Sequence, residues 1–294
     1  MKAMLGSKYG YMVNGKWEIG NENLVVYDPY IWLEYVAGTT TILSNYYDGN
    51  ILNTIDDIKV NDVSVTISRT VSALKDGDVV KIKFKIPHQI TWGAFYNLNV
   101  KKILQWPTTG KPIILGTPIE GYDPPTSSHQ TRCRVFQGCG KIEYIADSFY
   151  GFNVIGNDAF QSSRSVYPTD SVITLAPTAT EFGKYVFRNF NSPFRFNYNA
   201  TNIPDTGRVS DFSYYPWCGE DGSHINMYVG DNVEHIPCYM FLKNVNVYIK
   251  RAIPPTLSSN VGNSCSIHVP AELVDTYKAA WSSLSSKITG DYHD

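Results

Sequence analysis

The sequence of 294 residues lacks the features that mark several large classes of protein. Only 18% of its residues are charged, with 25 basic residues against 27 acidic ones, so it has no basic surplus for binding nucleic acid. No apolar run approaches the roughly 20 residues of a membrane-spanning helix. Neither the P-loop pattern nor GxGxxG occurs. We therefore expect no nucleic-acid partner, no membrane insertion and no cofactor.

Cysteine is scarce and histidine is scattered. Five cysteines stand at positions 133, 139, 218, 238 and 265, an odd number that argues against a disulfide framework and for reduced, buried thiols. Cys218, His224, His235 and Cys238 are of the types that bind zinc, but Cys-x5-His and His-x2-Cys are not standard zinc spacings. No local pattern indicates a Cys–His nucleophile or a catalytic carboxylate pair. We expect no metal site and no catalytic residue.

Aromatic residues are abundant, with 21 tyrosines and 14% aromatics overall. Tyrosine suits both β-strands and recognition surfaces. An irregular segment contains Tyr214, Tyr215 and Trp217, and Trp106 opens another that is rich in Pro, Gly and Thr. We interpret these four residues as a candidate contact surface; the alternative is that they cover the flank of the repeats described below.

Residues 1–87 are typical of an antiparallel β domain. Asn14-Gly15 between two short apolar segments predicts a hairpin over residues 11–19. Further along, apolar and basic residues alternate, which predicts a half-buried strand with no helix nearby. The apolar face of that strand consists of Val80, Ile82, Phe84 and Ile86. We expect this domain to serve in assembly or anchoring.

A short cassette recurs in residues 88–270. It consists of a large apolar residue, a variable pair that often begins with Gly or Pro, and a small or apolar residue before Phe. The closing phenylalanines, which we predict to form the repeat core, are Phe95, Phe136, Phe160, Phe187 and Phe241. The last four are separated by 24, 27 and 54 positions, and the period of about 24–27 is within the range of leucine-rich repeats. A shortened copy ends at Phe149.

The C-terminal segment, residues 271–294, is predicted to be a cap. Leu273, Tyr277, Trp281, Leu284 and Ile288 recur at steps of 4, 4, 3 and 4, which predicts a helix over residues 271–288. We expect Tyr277, Trp281 and Leu284 to cover the apolar end of the last repeat, at the strand 267–269.

Three segments carry a resemblance to a known family. Residues 229–241, Phe136-Gln137-Gly138-Cys139, and the tail formed by residues 252–257 and 267–281 together resemble BspA-type leucine-rich repeats, which are common in Bacteroides-like gut bacteria and their phages. The pattern is absent from residues 105–130 and 190–220, which we interpret as insertions or decayed repeats. The resemblance covers about residues 88–290 and implies a short irregular leucine-rich-repeat solenoid with a C-terminal capping helix. Together with the antiparallel β domain over residues 1–87, this predicts a mainly β fold.

The same resemblance implies binding or structural roles and no enzyme activity. Because the N-terminus has no apolar signal-peptide stretch, we favour a virion component such as a fibre, tail or capsid-decorating protein. Such a protein would form a homo-oligomer or join a larger assembly, with other virion or surface proteins, a host glycan or a host surface protein as partners. The alternatives are an extracellular adhesin of the bacterial cell surface whose leader has been removed, and a spike enzyme that degrades polysaccharide.

Overall fold

The computed structural model is mainly β, with 36% of residues in strands and 9% in helices. It describes residues 2–5, 8–13, 16–19, 27–45, 51–117, 133–163, 171–188, 194–204, 225–241 and 245–292, with only the backbone pairing given for residues 2–19. Nowhere in these ranges is a helix both long and apolar enough to cross a membrane. The mainly β character predicted from the sequence is thus confirmed.

The strands are short and spread along the whole chain. In chain order they are β1 (Lys2–Leu5), β2 (Lys8–Val13), β3 (Lys16–Ile19), β4 (Tyr30–Tyr35), β5 (Ile55–Val60), β6 (Val63–Ser64), β7 (Val79–Phe84), β8 (Gln89–Thr91), β9 (Val100–Gln105), β10 (Ile113–Thr117), β11 (Tyr144–Ile145), β12 (Phe152–Ile155), β13 (Val172–Thr174), β14 (Glu181–Phe182), β15 (Phe194–Tyr198), β16 (Ile225–Val229), β17 (His235–Ile236), β18 (Val245–Ile249), β19 (Thr256–Leu257), β20 (Cys265–His268) and β21 (Ile288–Thr289). The helical segments are the 3₁₀ turns Ile51–Thr54, Ala271–Leu273 and Ser282–Lys287 and the helix α1 (Val274–Ala280).

The N-terminal strands pair antiparallel. β1, β2 and β3 form one sheet in which Val13 lies opposite Lys16, as the predicted hairpin requires. The turn residues Asn14 and Gly15 lie outside the described residues.

A second, six-stranded sheet has the order β11-β9-β4-β7-β5-β6, antiparallel except between β9 and β11. In β7 the predicted alternation holds, because Val80, Ile82 and Phe84 are buried. The strand ends at Phe84, however, and Ile86 is 49% exposed, so its predicted place on the apolar face is wrong. The chain leaves the sheet before the pattern of alternating residues ends.

This sheet continues past residue 87. β4 pairs with β7 on one side and with β9, which follows the predicted boundary, on the other. The rings of Phe84 and Phe95 also meet edge to face, with centroids 6.5 Å apart. One continuous apolar core therefore joins the antiparallel region to the region of the cassettes. The division drawn at residue 87 does not coincide with a break in the sheet or the core.

The remaining strands are parallel. β14-β12-β10-β8 form one sheet, β13-β15-β16-β18-β20-β21 form another, and β17 pairs with β19. β10 and β15 lie in segments 105–130 and 190–220, where the sequence showed no repeat. Both strands pair on two sides, so each of these segments contributes an interior strand, although the register shifts within β10.

The closing phenylalanines of the cassettes are buried and most of them are stacked. All five are 0% exposed: Phe95, Phe136, Phe160, Phe187 and Phe241. The ring centroids of the first four are 4.8, 5.4 and 5.6 Å apart in succession, and neighbouring rings are within 19° of parallel. By contrast, Phe149, which ends the shortened copy, is 60% exposed and does not contribute to this core.

Each cassette repeats the same backbone conformation. The residue two positions before each closing Phe has a positive φ; these residues are Gly93, Arg134, Asp158, Tyr185 and Tyr239. Successive cassettes are joined by backbone hydrogen bonds, since the Phe136 N–H donates to the Ala159 carbonyl (2.7 Å) and the Phe160 N–H to the Val186 carbonyl (2.9 Å). The approach is close enough that a Cβ on Gly183 would lie 2.5 Å from the Asn157 nitrogen, which explains the Gly in the variable pair.

The C-terminal segment caps one end of the core with less helix than predicted. α1 covers only residues 274–280, and Ile288 belongs to β21, where it lies opposite Ile267 of β20. The continuous helix over 271–288 is therefore wrong, because a free strand edge on β20 pairs with the end of this segment. Tyr277, Trp281 and Leu284 are nevertheless 0%, 4% and 2% exposed.

Candidate binding surface on the parallel sheet

The residues proposed from sequence as a contact surface are only partly within the described chain. Tyr214, Tyr215 and Trp217 lie outside the described residues. Trp106 is 1% exposed, its ring meets Phe136 and Phe152 edge to face, and its Nε1–H donates to the Ala146 carbonyl at 2.6 Å. Trp106 is therefore a core residue, and its assignment to a contact surface is wrong. Its large indole fills the space beside these two phenylalanines.

The four cysteines within the described residues are buried. Cys133, Cys139, Cys238 and Cys265 are buried free thiols, and Cys218 lies outside the described residues. Burial raises the pKa of Cys139 to about 12 and that of Cys265 to about 11, so both thiols are protonated at neutral pH. Protonated, buried thiols of this kind pack as small apolar groups.

Of the four zinc-type residues, only His235 and Cys238 lie within the described residues. His235 Nδ1 lies 3.0 Å from the hydroxyl of Thr256, and Cys238 is buried. In the described ranges, no three His, Cys, Asp or Glu side chains converge into a cluster that could hold a metal ion. His224 lies outside them.

A stacked set of side chains lies on the outer side of the parallel sheet, with Tyr228 and His268 partly exposed and Tyr248 only 9% exposed. Tyr228 of β16, Tyr248 of β18 and His268 of β20 occupy the same register position on adjacent strands. The centroids of Tyr228 and Tyr248 are 4.7 Å apart with 13° between the planes, and those of Tyr248 and His268 are 4.7 Å apart with 16°. This distance equals the spacing of neighbouring strands, so the sheet itself stacks the rings. We call these three residues the aromatic ladder.

Polar groups close both ends of the aromatic ladder. At one end the guanidinium of Arg195 lies 3.9 Å from the ring centroid of Tyr228. The Nε–H of Arg195 also donates a hydrogen bond to Asn197 Oδ1 at 2.9 Å. At the other end, His268 Nδ1 and Asp291 Oδ1 are 2.8 Å apart. Both faces of Tyr228 and Tyr248 are thus occupied within the protein.

Hydrogen bonds extend this order across the sheet. The side-chain amide of Asn197 donates to the Thr174 hydroxyl, which in turn donates to the carboxylate of Asp147, both at 2.9 Å. Two residues before the tyrosines on β16 and β18, Asn246 Nδ2 donates to Asn226 Oδ1 at 3.0 Å. The surface is a continuous polar and aromatic array that its own contacts hold in place.

The charges of this surface lie mainly at its margins. Burial raises the pKa of Tyr248, with smaller contributions from Tyr228 and Asp291, so its hydroxyl is neutral at physiological pH. Hydrogen bonds from Thr289 and His268 lower the pKa of Asp291, which is ionised. Burial raises the pKa of Asp147 at the opposite margin. Between the margins lie neutral amides and rings.

This geometry determines how the surface can make contact. The ring faces are covered, and the ring of Tyr292 packs against Tyr248 with centroids 6.3 Å apart. A partner would therefore meet the edge of Tyr228, the amides and the Arg195 guanidinium and could not lie flat on an aromatic face. Side chains already fixed by stacking and hydrogen bonds lose little conformational entropy on binding. The array can therefore act as a preorganised contact surface.

Sequence analysis missed the aromatic ladder although a signal was present. The motif Asn-x-Tyr occurs at Asn226 and again 20 positions later at Asn246, each time within a short apolar segment. A repeat of that length places the two motifs on neighbouring strands. The phenylalanine cassettes predict which residues form the core, but they do not indicate which residues lie on the outer face.

The chain was compared with protein-family models, curated proteins and solved structures, and none of the three comparisons found a match.

Proposed function

We propose that this chain is a non-enzymatic structural and adhesion protein that makes contact through the outer face of its parallel sheet. The finer fold that we assign to the cassette region is a short, irregular leucine-rich-repeat solenoid of the BspA type. Three features support that assignment: parallel strands in sequence order, stacked closing phenylalanines and a recurring positive φ. Each repeat buries its apolar side against the next, as repeat architectures do.

The aromatic ladder with its flanking amides carries the proposal for contact. Arginine and tyrosine are the residue types that most often dominate binding energy at protein interfaces, and Arg195 and Tyr228 stand together at one end of the ladder. Fixed polar groups around them supply directional hydrogen bonds. Partners proposed for this surface are other virion or surface proteins and molecules of the host surface.

The antiparallel region is the proposed assembly element. Within the described residues its edge strand β6 pairs only with β5, and Val63 on that edge is 66% exposed. An edge strand with unpaired backbone groups can accept a strand from another subunit. Assembly into a homo-oligomer or a larger particle, with the virion as the proposed location, follows from this edge and from the resemblance to proteins of phages.

A matched pair of double variants tests the contact role. Arg195→Ala with Tyr228→Ala removes the end of the aromatic ladder, and Arg188→Ala with Tyr185→Ala removes a similar Arg–Tyr pair (5.0 Å) off the ladder. Binding of the full chain to host cells and to purified particle proteins is measured for both. We expect the ladder variant to lose at least tenfold in affinity and the control to stay close to wild type.

Equal loss in the two variants, or no loss in the ladder variant, would contradict the contact role. Light scattering on the wild-type chain tests the assembly role, since a protein that stays monomeric both alone and with particle proteins does not assemble. Thermal unfolding of both variants shows whether they remain folded.

A further inference from the structure

A groove runs between the last loop before β20 and the C-terminal cap. One wall is formed by residues 254–263 and the other by residues 280–284, and Tyr239 completes the lining. Its volume is about 820 Å³, which is within the range of small-molecule binding sites. None of the residues used by the aromatic ladder takes part in it.

The walls are fixed to one another at one point. The Nε1–H of Trp281 donates to the carbonyl of Pro255 at 2.9 Å, and the Trp281 ring lies 6.0 Å from Phe241 of the core. Trp281 and Leu284 are buried, so the cap side of the groove rests on the hydrophobic core. The groove is thus a formed feature of the fold and needs no large rearrangement to exist.

The lining is neutral and rich in unused hydrogen-bonding groups. Among the described residues that line the groove, none is charged. Five exposed polar side chains make no hydrogen bond within the described protein: Ser259, Asn260, Asn263, Ser282 and Ser283. Proline and leucine side chains, at Pro254, Pro255 and Leu257, supply apolar surface beside them.

From this lining we infer that the groove is a binding site for a neutral oligosaccharide. An ionic ligand would find no opposite charge in the lining, and an apolar ligand would leave hydroxyl and amide groups without water or partners, which costs free energy. A neutral sugar offers many hydroxyls to the serines and asparagines and apolar C–H faces to the prolines. This site is separate from the contact surface proposed above and goes beyond it.

The test begins with the full chain on an array that carries neutral oligosaccharides of hexoses, deoxyhexoses and N-acetylhexosamines beside sialylated and uronic-acid ones. The neutral oligosaccharide with the strongest signal is then titrated calorimetrically against wild type and variants. Asn260→Ala with Asn263→Ala should weaken its Kd about tenfold, since two neutral hydrogen bonds are lost. Ser282→Ala with Ser283→Ala should act in the same direction.

Ser286→Ala is the matched control, because Ser286 is an exposed serine of the same 3₁₀ turn that does not line the groove. It should leave the Kd within twofold of wild type. The inference is overturned if no neutral oligosaccharide binds, if only charged ones bind, or if both groove variants bind as tightly as Ser286→Ala. Arg195→Ala with Tyr228→Ala should not change sugar binding, so the failure of one proposal can be told from the failure of the other.

Discussion

Outward side chains of neighbouring strands are complementary on the antiparallel sheet, whereas two adjacent strands of the parallel sheet, β16 and β18, carry like residues at equivalent positions. On the antiparallel sheet Lys81 Nζ lies 3.5 Å from the ring centroid of Trp32, and Lys83 Nζ lies 2.6 Å from a carboxylate oxygen of Asp56. Glu34 contacts two lysines, with Nζ–O distances of 2.9 Å to each. The charged side chains on this face are thus paired with opposite charges or aromatic rings of the same sheet.

The parallel sheet places like residues side by side. Asn226 lies beside Asn246 and Tyr228 beside Tyr248, because a separation of 20 positions brings these equivalent residues of β16 and β18 into register. Like charges in such positions would repel, whereas amides bond to amides and rings stack on rings. Between β16 and β18, this register therefore favours neutral outward residues.

The difference between the outward side chains of the two sheets indicates where a partner is expected to bind. A face whose charges are already paired gains little from a new polar contact, since a partner would have to compete with the internal pairs. The ladder face leaves ring edges and amide groups directed outward in a fixed arrangement. Our proposal accordingly places contact on the parallel sheet, and the following changes test the comparison.

The largest effect is expected from the core that keeps the parallel strands in register. Phe160→Ala removes the ring that lies between Phe136 and Phe187 and should lower the free energy of unfolding by about 3–5 kcal/mol. Phe149→Ala is the control, because this ring is 60% exposed, and it should cost less than about 1 kcal/mol. Urea denaturation measures both, and equal costs would refute the stacked core.

A smaller effect is expected from charge on the ladder face. Asn226→Lys and Asn246→Lys together place like charges on adjacent strands and should cost about 0.5–1 kcal/mol more than the sum of the single changes. The coupling should shrink in high salt, which screens exposed charges. A double-mutant cycle by urea denaturation at low and high salt measures it. Additive single changes at low salt would contradict the rule drawn from register.

The smallest effect concerns Glu34 on the antiparallel sheet. Burial raises its pKa, but the hydrogen bonds from Lys101 and Lys102 outweigh this and hold the pKa of Glu34 below its usual 4.5. The stability from these pairs is therefore present above the unfolded pKa and is lost as the pH falls through the folded pKa. Glu34→Gln should cost less than about 1 kcal/mol at pH 7 and make the acid side of the stability curve less steep.

Chemical denaturation from pH 7 down to pH 3 measures that change for Glu34→Gln and wild type. An equally steep loss of stability in both proteins would show that Glu34 is not held in its ionised form by the lysines. The pKa of Asp147, beside the parallel sheet, is shifted in the opposite direction from that of Glu34. Burial raises it, so protonation of Asp147 in acid favours the folded state. The two carboxylates thus extend the comparison to pH.

Prediction from sequence succeeded where the pattern is local. The alternation in β7 identified the buried face formed by Val80, Ile82 and Phe84. It failed where the outcome depends on a distant partner. Ile288 continues the apolar stripe of a helix, yet it forms a strand because β20 offers a free edge.

The candidate site shows the same limit. The sequence suggested aromatic residues as contacts, and Trp106 met that description, but the fold places its ring among phenylalanines. Tyr228 and Tyr248 were visible as a repeated motif, yet their stacking with His268 depends on the order of three strands. Composition cannot distinguish a buried aromatic residue from an exposed one when both lie in short, irregular segments.

By itself, the sequence determined the mainly β character, the burial of the cassette phenylalanines and the near absence of net charge, because periodicity and residue type act within a few positions of the chain. Only the tertiary structure decided that β4 pairs with β9 across residue 87 and that the outer face of the parallel sheet carries an aromatic ladder. Apolar periodicity specifies which side of a strand is buried. It does not specify which strand lies next to it, and that neighbour determines what each outward side chain contacts.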